Sequence, residues 1–409
     1  MNLDAARALD AADPLKSFRS RFTLPDGVIY LDGNSLGPLP KGARARLLEV
    51  AEREWGRGLI RSWNDADWIG APARVGGKIA RLIGATPGEV VVADSTSVNL
   101  YKLLVAALRA RAGRHVILTE TGNFPTDLYI AGAAATALPG TEVRAVAPDQ
   151  VEAAIDADTA VVLLTHVHYK TARRRDMARL TAAAHAAGAL ILWDLSHSAG
   201  AVPLDLRACD VDLAVGCGYK FLNGGPGAPA FLFVAERLQG ELASPLTGWM
   251  GHAAPFDFTD AWRPAAGIGR FLTGTPPILG LAALEVGVDI ALEADAHALA
   301  AKSEQLWRLF AGLMETRLAG AGFRLITPTE ASDRGSHISY VHPEGYRIMQ
   351  ALIVRGVIGD FRDPDVMRFG LTPLYLRCED LWRAIDILAD IMAGEAWRAE
   401  APRAAGRVT

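Results

Sequence analysis

The stretch "GCGYKFLNGGPG" (216–227) sets Lys220 between Tyr219 and Phe221 and follows it with glycines. An ammonium held among rings at a strand end loses water, which lowers its pKa and suits it to imine formation with an aldehyde. Taken alone, the residue also reads as a surface lysine whose stem snorkels. Asp194 closes the apolar run "LILW". A carboxylate there is penalised by burial unless a cation or strong donor faces it, and a protonated pyridine nitrogen is such a partner. Asp194 is equally a capping or turn residue. Ser95, Thr96 and Ser97 stand just before a helical pattern, where free N–H groups and the helix dipole favour phosphate, or where hydroxyls simply cap. Phe124, ahead of Pro125 in "NFPTD", is an aromatic able to cover a planar ring, while Thr165 and His197 follow two further apolar runs. Jointly these are the parts of a pyridoxal phosphate pocket: phosphate seat, ring cover, partner for the ring nitrogen and imine lysine.

Such residues must be brought together by elements ending at one edge. From about residue 85 the pattern alternates: "EVVVAD" strand, "SVNLYKLLVAALRA" helix, "RHVILTE" and "TAVVLLTHV" strands, "MARLTAAAHAAG" helix, then "ALILWDLSH", "VDLAVGCGYKF" and "APAFLFV" strands. Short β-branched runs between Ala- and Leu-rich helices predict an α/β fold, a mainly parallel sheet covered by helices on both faces. In such sheets the ligand crevice lies beyond the carboxyl ends of the strands, where Ser95 to Ser97, Thr165, Asp194, His197, Tyr219 and Lys220 all fall. "LDGNSLGPLP" (31–40) reads as irregular and "KGARARLLEVAEREW" as helix. Long amphipathic stretches flanking "FRLITP", "SHISYVH" and "DVMRFGL" predict a smaller α+β domain at the C-terminal end. The expected organisation is an N-terminal segment 1–49 joining the small domain and the active site, a large cofactor-binding domain 50–285, a small domain 286–395 and a flexible tail 396–409.

Composition narrows the class. The 409 residues, half of them hydrophobic with 22% charged, can bury a large core. The net charge of −4 is dispersed and the basic clusters "RARAGR" and "ARRR" lack interleaved aromatics, so no nucleic-acid partner is expected. Cys209, Cys217 and Cys378 have neither disulfide-framework nor zinc spacing, so no metal is expected. The acidic N-terminus and the lack of an apolar run of membrane length point to a cytoplasmic protein with no membrane partner.

The blocks "YLDGNSLGP", "STSVNLYK", "NFPTDLY", "WDLSHSAGAVPLDL", "GYKFLNGGPG", "GWMGH" and "FLTGTPPI" resemble kynureninase, of the aspartate-aminotransferase type of pyridoxal phosphate fold, over about residues 20 to 390. This resemblance implies hydrolytic Cβ–Cγ cleavage of L-kynurenine to anthranilate and L-alanine through a Schiff base. By position, Lys220 matches the Schiff-base lysine and Asp194 the partner of the pyridinium nitrogen. Phe124 matches the stacking aromatic, with Pro125, Thr126 and Asp127 in the same cofactor loop. Thr96 and Ser97 match the phosphate site, and Thr165, His197 and Tyr219 match further cofactor contacts; Tyr219, beside Lys220, is placed either to pass protons or to hold the phosphate. Trp249 and Thr275 match positions that reach the phosphate across a dimer interface, which implies a homodimer with shared sites. Arg368 matches the arginine that holds the substrate carboxylate in a planar fork, and Trp63 and Asn34 match further substrate contacts. Trp63 and Gly274-Thr275 are similar to members that prefer L-kynurenine to its 3-hydroxy form. One departure is Ala172, where the family usually has glycine.

Two kinds of rival have distinct sequence requirements: another chemistry on the same fold, and a nucleotide-binding oxidoreductase or a catalytically silent scaffold on an α/β sheet. A cysteine desulfurase needs a thiolate on a mobile loop, whereas Cys217 and Cys209 adjoin strands; an aminotransferase lacks "GWMGH" and "NSLGP". A nucleotide-binding oxidoreductase would carry GxGxxG after its first strand, and none is present.

Overall fold

The computed structural model describes residues 1–400. The chain divides into two compact units, one formed by Ala43–Tyr169 with Arg175–Leu292, the other by Met1–Gly42, Lys170–Arg174 and the chain from Glu293 onward.

The larger unit is built on seven strands: β1 Val90–Val92, β2 Val116–Glu120, β3 Glu142–Val146, β4 Thr159–Thr165, β5 Leu190–Asp194, β6 Leu213–Gly216 and β7 Phe231–Val234. Their order is β1-β7-β6-β5-β4-β2-β3, and β7 alone runs antiparallel to its neighbours. Every residue of β2, β4, β5, β6 and β7 is buried, whichever way its side chain points. Both sheet faces are therefore covered, which is why these strands read as unbroken apolar runs instead of alternating. Helices α1 Thr96–Ala110, α2 Pro125–Thr136 and α3 Met177–Ala186 connect them. Each fully buried Val, Leu or Ile contributes roughly 1.5–3 kcal/mol, so this core, with Leu103, Val162, Leu192 and Val215 at 0% exposure, is the rigid frame behind the strand ends.

Three expectations shift. The strand expected over 211–221 covers only Leu213–Gly216, and at Gly216, in register with Phe231 of β7, a Cβ would stand 2.5 Å from the Phe231 ring. The helix from Lys41 is α-helical only to Glu49 and widens to π-helical over Val50–Gly58. The segment 31–40 ends in a short strand, Leu39–Pro40, paired with Phe22–Thr23.

The smaller unit carries an antiparallel sheet of β8 Arg324–Leu325, β9 His337–Val341, β10 Asp360–Arg362 and β11 Val366–Gly370, in the order β8-β9-β11-β10. Its helices include α4 Ala296–Arg317, α5 Gly345–Val354 and α6 Cys378–Ala393. The N-terminal segment joins the same unit, Ile29–Tyr30 pairing in parallel with Val357–Ile358. Ala172 has φ +59° and is fully buried, so it occupies the left-handed conformation that glycine adopts freely. Of the expected tail, Ala396–Ala399 forms a 3₁₀ turn with Trp397 buried, and 401–409 lie outside the described residues.

Candidate active site

The sheet order explains how residues far apart in sequence meet. β2, β4, β5 and β6 are successive neighbours, so the segments leaving their carboxyl ends, at Asn123 to Asp127, Thr165, Asp194 to His197 and Tyr219-Lys220, lie side by side. Lys220 Nζ is 2.9 Å from His197 Nε2, and 6.0 Å and 5.9 Å from the ring centroids of Phe124 and Tyr219. Thr165 Oγ1 donates to Asn123 Oδ1 at 2.5 Å and lies 3.4 Å from Asp127 Oδ2. Asp194 Oδ1 accepts the Ser196 N–H at 2.7 Å, which fixes the carboxylate plane. Burial first, then the nearby Asp194 charge, pushes the Asp127 carboxyl well above the ordinary range, with Lys220 opposing. A pair of buried carboxyl groups beside one lysine is an arrangement that a further cation would relieve.

The local geometry follows from sequence. Pro125 takes the first helical position of α2, where its missing N–H costs nothing, and Phe124 at the cap keeps its ring 39% exposed. Asn123 Oδ1 also accepts the Phe124 N–H at 2.7 Å, so one buried amide locks the aromatic to Thr165. Around the lysine, Asn223 closes a turn by donating its N–H to the Lys220 carbonyl at 3.0 Å. A Cβ at Gly224 would stand 2.8 Å from the Gly218 carbonyl oxygen, and one at Gly218 would overlap the Pro229 carbonyl. These two glycines permit a chain crossing, while Gly225 and Gly227 supply positive φ.

Ser95 is the helix cap, its Oγ accepting the Val98 N–H at 3.4 Å, with Thr96 and Ser97 in the first turn of α1. A cavity of about 440 Å³ is lined by Asp94, Ser95, Thr96, Tyr219 and Gly227 among others. Burial first, then Cys217 and Asp194, raises the Tyr219 phenol far above its usual value. Trp63 packs edge-on to Trp68 and Trp249, at centroid distances of 6.0 and 6.5 Å. Trp68 Nε1 donates to Glu54 Oε2 at 2.7 Å; despite burial, Arg46 and Trp68 hold the Glu54 carboxyl low. Thr275 is exposed.

Two expected residues belong to the smaller unit. Arg368 on β11 is 2% exposed; its Nε donates to Asp360 Oδ2 at 2.9 Å and its Nη2 to Ser35 Oγ at 3.1 Å. Asn34 is fully buried, with neither amide atom hydrogen-bonded among the described residues. Sequence reasoning did not single out Asn123, Asp360, Asp32 or Lys102. For Asp360 the only signal was its place before the aromatic of "GDFRDPDVMRFG".

The donor set fits pyridoxal phosphate: the carboxyl pair would meet a ring nitrogen, Phe124 would offer a ring face, Lys220 an amine, and the α1 start with its cavity a phosphate seat. The fold is similar to that of a cysteine desulfurase from Thermococcus onnurineus NA1 (TM-score 0.79, 18% identity, 93% of this chain and 98% of that one) and to one from Escherichia coli (0.77, 20%, 95% and 99%). A model of the DegT/DnrJ/EryC1/StrS aminotransferase family matches residues 75–217. Fold and site together define a fold-type I pyridoxal phosphate enzyme. The kynureninase C-terminal domain model matches residues 299–388, and the kynureninases of Burkholderia pseudomallei (51% identity, 97% of each chain) and Pseudomonas fluorescens (52%, 95% of each) align along nearly the whole length. The chain belongs to the kynureninase family.

Proposed function

We infer that the enzyme hydrolyses the Cβ–Cγ bond of L-kynurenine to anthranilate and L-alanine, with pyridoxal 5'-phosphate as cofactor. The observation that carries this is the convergence of Lys220, His197, Asp194, Asp127 and Phe124 in a chain 51% identical to kynureninases over 97% of its length. Bound there, the cofactor supplies an electron sink for negative charge at the substrate carbon next to the amine. Lys220 Nζ would be the amine that anchors the cofactor and the group that would move the proton at that carbon. His197 Nε2 holds Lys220 in place. Asp194, oriented by Ser196, would hold the ring nitrogen and favour its protonated form, and Phe124 would orient the ring. Tyr219, kept neutral by burial, donates its O–H to an anionic oxygen rather than acting as a base. Arg368 is assigned the substrate carboxylate, and Trp63 and Asn34 further substrate contacts; Trp63 with Gly274-Thr275 favours L-kynurenine over the 3-hydroxy form.

The desulfurase alternative lacks a nucleophile. Cys217 is buried and burial raises its thiol; Cys378 is buried, its thiol pushed up to about 12; the Cys209 thiol is also raised by burial. None is a poised thiolate.

We further read the enzyme as a cytoplasmic homodimer serving tryptophan catabolism or the NAD-forming branch of the kynurenine pathway. Exposed Trp55, Ile60, Phe256 and Phe258, at 57–77% exposure, support a partner surface. No helix among the described residues is long and apolar enough to cross a membrane.

The test is anthranilate fluorescence on mixing the reconstituted protein with L-kynurenine, run beside 3-hydroxykynurenine. Lys220→Ala is expected to lower turnover at least about a thousandfold. A yellow, cofactor-loaded wild type that yields no anthranilate overturns the reading.

A further inference from the structure

Lys102, on the second turn of α1, is completely buried, yet no step above uses it. Its Nζ donates to Asp94 Oδ2 at 2.7 Å and to the Phe271 carbonyl at 2.7 Å. The same Asp94 oxygen accepts the Thr273 hydroxyl at 2.9 Å. Asp94 links β1 to α1 in a left-handed conformation, φ +50°, and its side chain, 27% exposed, lines the cavity shared by Ser95, Thr96 and Tyr219. A bare carboxylate in that wall would repel a phosphate dianion, and in a partly desolvated cavity the repulsion is poorly screened.

We propose that Lys102 is a positioning residue for the phosphate end of the cofactor. It cancels the charge of Asp94 from inside the core, so that the wall accepts a dianion. Through the shared carboxylate oxygen and the Phe271 carbonyl it also fastens the 271–275 loop to the strand end that carries Ser95 to Ser97. The proposal rests on the pyridoxal phosphate reading of the site.

The phosphate is the discriminating atom group, so the full-length protein is stripped of cofactor and titrated by absorbance with pyridoxal phosphate and, separately, with pyridoxal. Lys102→Met is expected to weaken pyridoxal phosphate at least about tenfold and pyridoxal less than about twofold, because only the former carries the repelled charge. The double variant Lys102→Met/Asp94→Asn, neutral at both positions, is expected to return pyridoxal phosphate affinity to within about threefold of wild type. A purely structural lysine would weaken both ligands alike and would not be rescued; either result overturns the proposal. Should Lys102→Met fail to fold, Asp94→Asn alone is expected to hold pyridoxal phosphate at least as tightly as wild type, and a loss confined to the phosphorylated ligand overturns it. A wild type that binds neither ligand refutes the cofactor reading itself, a separate outcome.

Discussion

Asp127 lies buried close to Asp194 in the interior of the larger unit, which favours its protonated form. Burial and the neighbouring charge raise the folded-state pKa of Asp127 above its value in an unfolded chain, near 4. A carboxyl raised in this way contributes stability that is complete below the unfolded pKa and is lost as pH rises through the folded one. The cofactor-free protein is therefore expected to melt at progressively lower temperature as pH rises above about 4, and Asp127→Asn, which keeps a donor without a charge, to flatten that slope. Melting curves of the stripped protein at several pH values check it; an unchanged slope in the variant removes Asp127 from the pair. Tyr219 carries the opposite lesson, since its phenol is kept protonated throughout the working range. Tyr219→Phe should lower kcat/KM by about tenfold through loss of one hydrogen bond to an anion, while the shape of the pH–rate profile below pH 10, about the phenol's ordinary pKa, stays as in wild type. A limb lost from that profile would instead make Tyr219 a proton carrier.

At the scale of elements, the smaller unit joins its N-terminal segment to its sheet through charge. Asp360 on β10 is the register partner of Arg368 on β11 and accepts from its Nε, while Ser35 donates to Asp360 at 3.3 Å and the Gly370 N–H bonds the Leu31 carbonyl. Asp360→Ala leaves Arg368 without that anchor. If Arg368 holds the substrate carboxylate as proposed, KM for kynurenine is expected to rise by about ten- to a hundredfold with a smaller change in kcat, because that binding is lost before chemistry is; equal losses in both would assign Asp360 to the chemical step. Beside them, burial and then Asp360 raise Asp32 to about 7. Its contribution to stability is lost as pH rises from about 4 to about 7, and Asp32→Asn should remove that loss in urea titrations of the apo protein. The large-unit strands were legible where burial on both faces made them uniformly apolar, and so was the ordered set of residues at their ends. Glu142–Val146 was not, since an edge strand written "EVRAV" with partly exposed side chains carries neither alternation nor an apolar run. Pro125–Thr136, "PTDLYIAGAAAT", hides its helix because apolar residues surround the axis and leave no period. Asn123 to Thr165 and Asp127 to Asp194 are contacts set by sheet order, which local pattern does not encode.

For the whole molecule, the aromatic series runs from Trp63 through Trp249 to Phe256 and Phe258, the last two exposed at 57% and 77%. Rings that large left open to water at one end of a packed series form an exposed apolar patch of the kind that protein interfaces use. Thr275, exposed in a single chain, is assigned the same kind of partner contact as Trp249. If each site takes Lys220 from one subunit and Trp249 with Thr275 from the other, two defective proteins complement each other. Lys220→Ala has no working lysine, and Trp249→Ala spoils the site of its partner. A subunit-exchanged equimolar mixture of the two forms hybrids in which one of the two sites is intact. Statistical pairing then sets recovery at about one quarter of wild-type activity, from parents that are each nearly inactive. Differently tagged subunits report how much hybrid has formed, and sedimentation reports whether the wild type is a dimer. Hybrids that form without recovering activity would return Trp249 to its own subunit's site, while recovery near a quarter requires a site that no single chain completes.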